Sequence, residues 1–247
     1  MKCTGYRYTQ KKVLTVFAGV LTLAFVLTGC SSSSSPAATT PPASTTVNIS
    51  GKTIIDDDPL TPLADVTIKG FYSDTDVTSP VTSGADGSFT LPVTINKAVS
   101  AQASKLTYAT LNTAKRAFPA SIDAGNIELV TVSDVNLLIS QVFGEGLTLN
   151  QFAWLAVDVV NEATQDDVAG VTITVTGAAP VDIAYLDCSG LNTSQISTVV
   201  DQNPCDKPVA YLAYFDVGST EVTISDGLDS ELIPVRRGEV SYHEFEQ

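Results

Sequence analysis

The pattern of hydrophobic and polar positions changes character several times along the chain. Lys2, Arg7, Lys11 and Lys12 make a positive head, and Val13 to Thr28 follows as a run of 16 uncharged, mostly apolar residues. That run is shorter than the roughly 20 residues a bilayer-spanning helix needs, so it reads as a secretion signal. Ser31 to Thr46 has no period at all: SSSSSPAATTPPASTT offers nothing to seed a core and reads as a tether. From Val47 onward, short runs of Val, Ile and Thr alternate with polar residues, punctuated by Gly, Pro, Asp and Ser, which predicts strands. Val66-Thr67-Ile68-Lys69, Ser88-Phe89-Thr90-Leu91 and Val171 to Val175 are the clearest. Between Ser133 and Gly146 the period lengthens, placing Val135, Leu138, Ile139, Val142 and Phe143 on one helical face. Ser133 is the expected N-cap and Gly144 the expected stop, and the stripe has to be buried against one or both flanking β units. The segment carries no Lys or Arg, which argues against a helix lying on a membrane surface.

Sliding the chain against itself brings out a repeat at a spacing of 105 residues, with no gap. Ile54-Ile55-Asp56 falls over Val159-Val160-Asn161, and Leu63-Ala64-Asp65-Val66-Thr67-Ile68 over Val168-Ala169-Gly170-Val171-Thr172-Ile173. Asp57 to Pro62 and Glu162 to Asp167 lie between the matched blocks as polar connections, so each copy is expected to open with a strand pair. The expected architecture is all-β: two tandem sandwiches over residues 47–130 and 148–247, joined by a helical junction over 131–147.

Leu27-Thr28-Gly29-Cys30 at the end of the apolar run resembles the lipobox of bacterial lipoproteins. The resemblance implies cleavage after residue 29, a diacylglycerol on Cys30 and a membrane partner held through that lipid, with further acylation giving stable anchoring. Ser31 after the cysteine resembles the pattern of lipoproteins exported to the outer membrane. The first repeat resembles the carboxypeptidase regulatory-like domain, a transthyretin-like sandwich, in three blocks. They are Gly51-Lys52-Thr53-Ile54-Ile55-Asp56, Pro62 to Ile68, and Ser83-Gly84-Ala85-Asp86-Gly87-Ser88-Phe89-Thr90-Leu91, with Gly125 to Val130 as the closing strand. Asp86-Gly87 suits a tight turn because glycine enters positive φ without penalty. The second repeat lacks the Asp-Gly-Ser-Phe block and is expected to be transthyretin-like or immunoglobulin-like.

Charge narrows the partners. The chain holds 27 acidic and 13 basic residues, net −14; the four basic residues of the signal leave with it, so the exported part stands at −18. Nucleic-acid binding is excluded as a class, because phosphate contacts need clustered Lys and Arg. Of the four cysteines, Cys3 leaves with the signal and Cys30 takes the lipid. Cys188 and Cys205 are expected to form a disulfide closing a loop of 18 residues. Such a loop contributes roughly 3 kcal/mol in the chain-entropy model; a redox pair or a zinc site would show a different spacing or more ligands.

Candidate chemistry is sparse. His243 is the only histidine, in Glu239-Val240-Ser241-Tyr242-His243-Glu244-Phe245, which alternates like a final strand and is expected to leave it at the surface. No Gly-x-Ser-x-Gly elbow accompanies it. Asp56-Asp57-Asp58 reads as a solvated acidic turn, since its spacing fits no EF-hand loop. Trp154, Tyr185, Tyr211, Tyr214, Phe215, Tyr242 and Phe245 crowd the second repeat; most are expected in its core, and on exposed strands they would stack on sugars. The expectation is a lipid-anchored envelope protein with a binding, adhesive or structural role and an unidentified protein or carbohydrate partner. No cofactor, metal or enzymatic activity is expected, and the alternative is an accessory or spacer subunit of an envelope complex.

Overall fold

The computed structural model describes residues 45–55, 58–161, 168, 171–187 and 208–246. The signal segment, Cys30, the tether up to residue 44, Asp56, Asp57, Cys188 and Cys205 lie outside the described residues.

The first repeat opens with β1 (Thr46–Ile55), followed by β2 (Asp58–Pro62), β3 (Thr67–Phe71), β4 (Val81–Thr82) and β5 (Ser88–Thr94). It continues through β6 (Ser100–Ser104) and β7 (Thr110–Asn112) to β8 (Ile122–Leu129). Alternation along β1 buries Val47 and Ile49 and exposes Asn48 and Lys52, the half-buried strand that period two predicts. β1 lies between β5, antiparallel over Thr46↔Thr94 to Lys52↔Ser88, and β8, parallel over Ile49↔Ile122 to Ile55↔Leu129. β3, β4, β6 and β7 form the opposing layer, and Leu91, Val93, Val99, Ile68 and Leu129 fill the space between.

The opening strand pair differs from expectation. Asp58 to Pro62 is not a connection but strand β2, folding back on β1, and Thr67–Phe71 crosses to the other layer. The crossing is driven by burial: Leu63 and Val66 dip into the core, and Ser83 Oγ accepts from Val66 N at 3.0 Å and donates to the Leu63 carbonyl at 2.9 Å. The Asp86-Gly87 turn forms as predicted, with Gly87 at φ 75°. A Cβ there would sit 2.3 Å from the Thr53 carbonyl oxygen, so glycine is required twice over.

The second repeat holds β9 (Ala153–Val160), β10 (Thr174–Thr176), β11 (Asp182–Asp187), β12 (Pro208–Phe215), β13 (Ser219–Ser225), β14 (Ser230–Arg236) and β15 (Glu239–Glu246). β9 stands between β12, antiparallel, and β15, parallel, as β1 stands between β5 and β8. The registers correspond: Ile54↔Glu128 and Ile55↔Leu129 in the first repeat become Val159↔Phe245 and Val160↔Glu246 in the second, the opening strand displaced by the same 105 residues as the sequence repeat. β10, β13 and β14 make the facing layer, so the fold is two β-sandwiches with one connecting helix.

Helix α1 (Val132–Phe143) starts two residues earlier than expected. Its N-cap is Thr131, whose extended backbone lets Oγ1 accept from Asp134 N at 3.2 Å, while Ser133 is exposed within the first turn; Gly144 ends the helix at φ 102°. Ile139 and Val142 are buried, and Val135 and Phe143 pack with Ile139 over Trp154 and Tyr214. The sandwiches are not separate beads. β15 also pairs in parallel with β7, through Glu239↔Thr110, Val240↔Leu111 and Ser241↔Asn112, giving a continuous eight-stranded sheet β11-β12-β9-β15-β7-β6-β3-β4.

Candidate functional site

His243, the residue any Ser-His-Asp arrangement would have to use, is not at the surface. It is 6% exposed, sharing the inward face of β15 with Ser241 and Phe245. The alternation was legible, but the face that carries His243 turns inward with Phe245 onto the second core, and that depends on the long-range pairing of β15 with β9. Phe245 stands edge-on to the imidazole at 4.5 Å between ring centroids, and Nε2 has no hydrogen-bond partner among the described residues. Burial, helped by the Arg116 charge and opposed by Asp226, pushes its pKa down to about 3. A neutral, enclosed imidazole of this kind has no access to a substrate proton.

The aromatic residues of the second repeat are core rather than a sugar-binding platform. Trp154, Tyr185, Tyr211, Tyr214, Phe215 and Phe245 are each at most 9% exposed, and only Tyr242 is partly open, its hydroxyl donating to Asp158 Oδ2 at 2.8 Å. Burial raises the pKa of the Tyr185 and Tyr211 hydroxyls. Tyr214 packs against Phe143 and Phe152 at 5.1 and 4.8 Å between centroids. Among the described residues, no group of three His, Cys, Asp or Glu side chains converges closely enough to hold a metal ion.

The organised polar constellation lies where the repeats meet. Glu239 Oε2 accepts from Gln102 Nε2 at 2.9 Å and from Asn112 Nδ2 at 2.8 Å. Asn112 is fully buried, and its Oδ1 accepts from Arg236 Nη1 at 3.2 Å and faces Gln102 Nε2 at the same distance. Arg236 also lies over the Phe71 ring at 4.4 Å and donates through Nη2 to Asp74 Oδ1 at 3.1 Å, where Ser219 Oγ donates as well. The hydrogen bonds from Arg236 and Ser219 hold the Asp74 carboxyl below its ordinary pKa.

Further along the seam, the segment after β7 leans onto the second sandwich. Lys115 N donates to the Leu232 carbonyl at 2.8 Å, Lys115 and Arg116 pair with Glu221 and Glu231 at 2.8 Å, and Ala114 joins the second core. The exposed ends of these pairs contribute little each, whereas Glu239, half-buried, fixes one geometry for the buried amides of Gln102 and Asn112, because any other leaves them unsatisfied. The seam as a whole is not written in any local pattern of the sequence. Its only local trace is two polar residues, Gln102 and Asn112, at inward strand positions, and nothing local says that Glu239 and Arg236 meet them.

No protein-family model matches the chain, and no curated protein matches it. Among solved structures, the Bacillus anthracis TIE protein aligns over 82% of this chain and 34% of its own, at 7% identity and a TM-score of 0.29. A streptococcal ancillary pilin aligns over 83% of this chain and 63% of its own, at 10% identity and a TM-score of 0.28. The shaft pilin SpaA from Lactobacillus rhamnosus GG aligns over 82% and 98%, at 14% identity and a TM-score of 0.26. The chain thus spans about a third of the first and under two thirds of the second, and at these scores the likenesses carry nothing about function.

Proposed function

We propose that this chain is a lipid-anchored protein of a bacterial outer membrane that serves binding, adhesion or envelope structure rather than catalysis. The observation that carries the reading is the seam: a shared sheet and the bonds from buried Gln102 and Asn112 to half-buried Glu239 make two sandwiches into one stiff body, while the one imidazole is enclosed. Leu27-Thr28-Gly29-Cys30 and the tether supply the anchoring half of the proposal, because 16 residues in a polyproline-like form reach about 50 Å and would lift such a body off the headgroups. The buried aromatics favour a protein partner over a carbohydrate. The Asp86-Gly87 turn supports the carboxypeptidase regulatory-like reading of the first repeat, and the Cys188–Cys205 bridge remains part of the proposal, to be settled by intact mass after non-reducing alkylation.

Labelling with a fatty acid tests the anchor. Cys30→Ala should abolish incorporation and leave an uncleaved or soluble product; labelled, membrane-bound variant protein would overturn it. The stiff junction equally suits a spacer subunit, and a stoichiometric partner recovered with the detergent-solubilised native protein would favour that second reading.

A further inference from the structure

We infer that β1 is a mechanical clamp, which resists in shear a pull delivered through the tether. The inference rests on the anchored reading for the direction of the load, but the clamp itself is a property of the described strands.

The chain reaches the sandwich at Thr46, so a pull between the preceding segment and the far end of the sandwich acts along the axis of β1. Both edges of β1 are bonded, to β5 over seven residue pairs and to β8 over six. Ladder hydrogen bonds run across the strands. Sliding β1 along its own axis therefore displaces all of them together, while drawing β1 sideways from one end breaks them one after another. Sliding also drags Val47 and Ile49 through a close-packed core.

The far end of β1 is pinned as well. Thr53 is fully buried; its N–H donates to the Gly87 carbonyl at 2.9 Å, its hydroxyl to the Leu63 carbonyl at 2.5 Å, and its own carbonyl accepts from Leu63 N at 2.8 Å. The two backbone bonds carry the ladder of β1 past its last pairs with β5 and β2, and the hydroxyl adds a third. They tie β1 to two loops that a downward slide would have to tear away.

The opposite ends of the first sandwich are identifiable. The loop holding Leu106, 89% exposed, sits beside the C-terminal ends of β1 and β8, because Thr107 accepts from Val132 N and Ala109 N donates to the Val130 carbonyl. The loop holding Ala98 sits beside the start of β1, because Ile95 N donates to the Thr45 carbonyl at 3.1 Å.

The test is single-molecule force spectroscopy on the otherwise unchanged chain beginning at Ser31. One handle is on its N-terminus and the other on an azide-bearing side chain at exposed position 106 or 98. Pulling against position 106 slides β1, and pulling against position 98 peels β1 from β5 starting at Thr46↔Thr94. The unfolding force at equal loading rate should be several-fold higher through position 106; equal forces, or a higher force through 98, would overturn the clamp. The fatty-acid labelling of Cys30 is a separate readout, so loss of the anchor and loss of the clamp are distinguishable.

Discussion

The two repeats share a strand order and differ in what covers it. In the first, the sheet of β1, β5 and β8 buries one face, through Val47, Ile49, Leu91 and Val93, and leaves Asn48, Thr90 and Pro92 exposed. In the second, the sheet of β9, β12 and β15 is covered on both. Leu155, Val157, Ala213 and Phe215 meet Val222, Ile224, Ile233 and Val235 of β13 and β14, while Trp154 and Tyr214 lie under α1. The closing strands differ in the same sense: β15 pairs with β7 on its second edge, whereas β8 pairs with β1 alone among the described strands. One topology thus serves as an outer wall in one copy and as the middle of the molecule in the other. The sequence follows the covering, with alternation in β1 and a near-continuous apolar AWLAVDVV in β9.

The largest test of this contrast is a matched truncation on the two sheets. Phe215→Ala should cost about 3–5 kcal/mol because it empties a fully enclosed site. Thr90→Ala on the open face of β5 should stay within about 0.5 kcal/mol by denaturant titration. Similar losses at both positions would remove the distinction.

Acid should destabilise the whole unit through a residue of the second repeat, His243. The unfolded chain takes a proton on His243 near the ordinary histidine pKa, while the folded chain resists until about 3. Stability therefore falls as pH drops from about 6.5 towards 4, by up to about 1.4 kcal/mol per unit. His243→Leu should flatten that slope when urea midpoints are measured across the window. Asp74 has a lowered carboxylate pKa, so its contribution is present above the ordinary range and is lost only below about pH 4.

The seam separates buried from exposed polar contacts. Glu239→Ala strands the amides of Gln102 and Asn112 and should cost about 1–3 kcal/mol. Lys97→Ala breaks an ion pair to Asp76 whose side chains are about half exposed, and should cost under about 1 kcal/mol. The smallest test concerns α1: Thr131→Ala should lose about 1 kcal/mol and Ser133→Ala almost nothing, which thermal melts of the two variants can separate.

Strand existence, the helix, the Asp86-Gly87 turn and the 105-residue repeat were legible because each is written in local period or in turn chemistry. The helix start was missed by two residues because Ser133 and Thr131 are equally good caps in isolation, and only the extended backbone at Thr131 chooses between them. Strand β2 was missed because DPLTP is short, holds two prolines and does not alternate, and is held by pairing with β1. His243 and the seam were out of reach for one common reason. Each is set by contacts between residues far apart in sequence, β15 meeting β7 at the seam and β15 meeting β9 beside His243, for which the chain carries no short-range signal.

The two sandwiches form one unit rather than two on a string, and calorimetry of the chain beginning at Ser31 is the sharpest check. Shared pairing between β15 and β7, and Ala114 of the first repeat packed into the second core, predict a single transition whose calorimetric and van 't Hoff enthalpies agree. Two resolved transitions, with one repeat melting while the other stays folded, would contradict it.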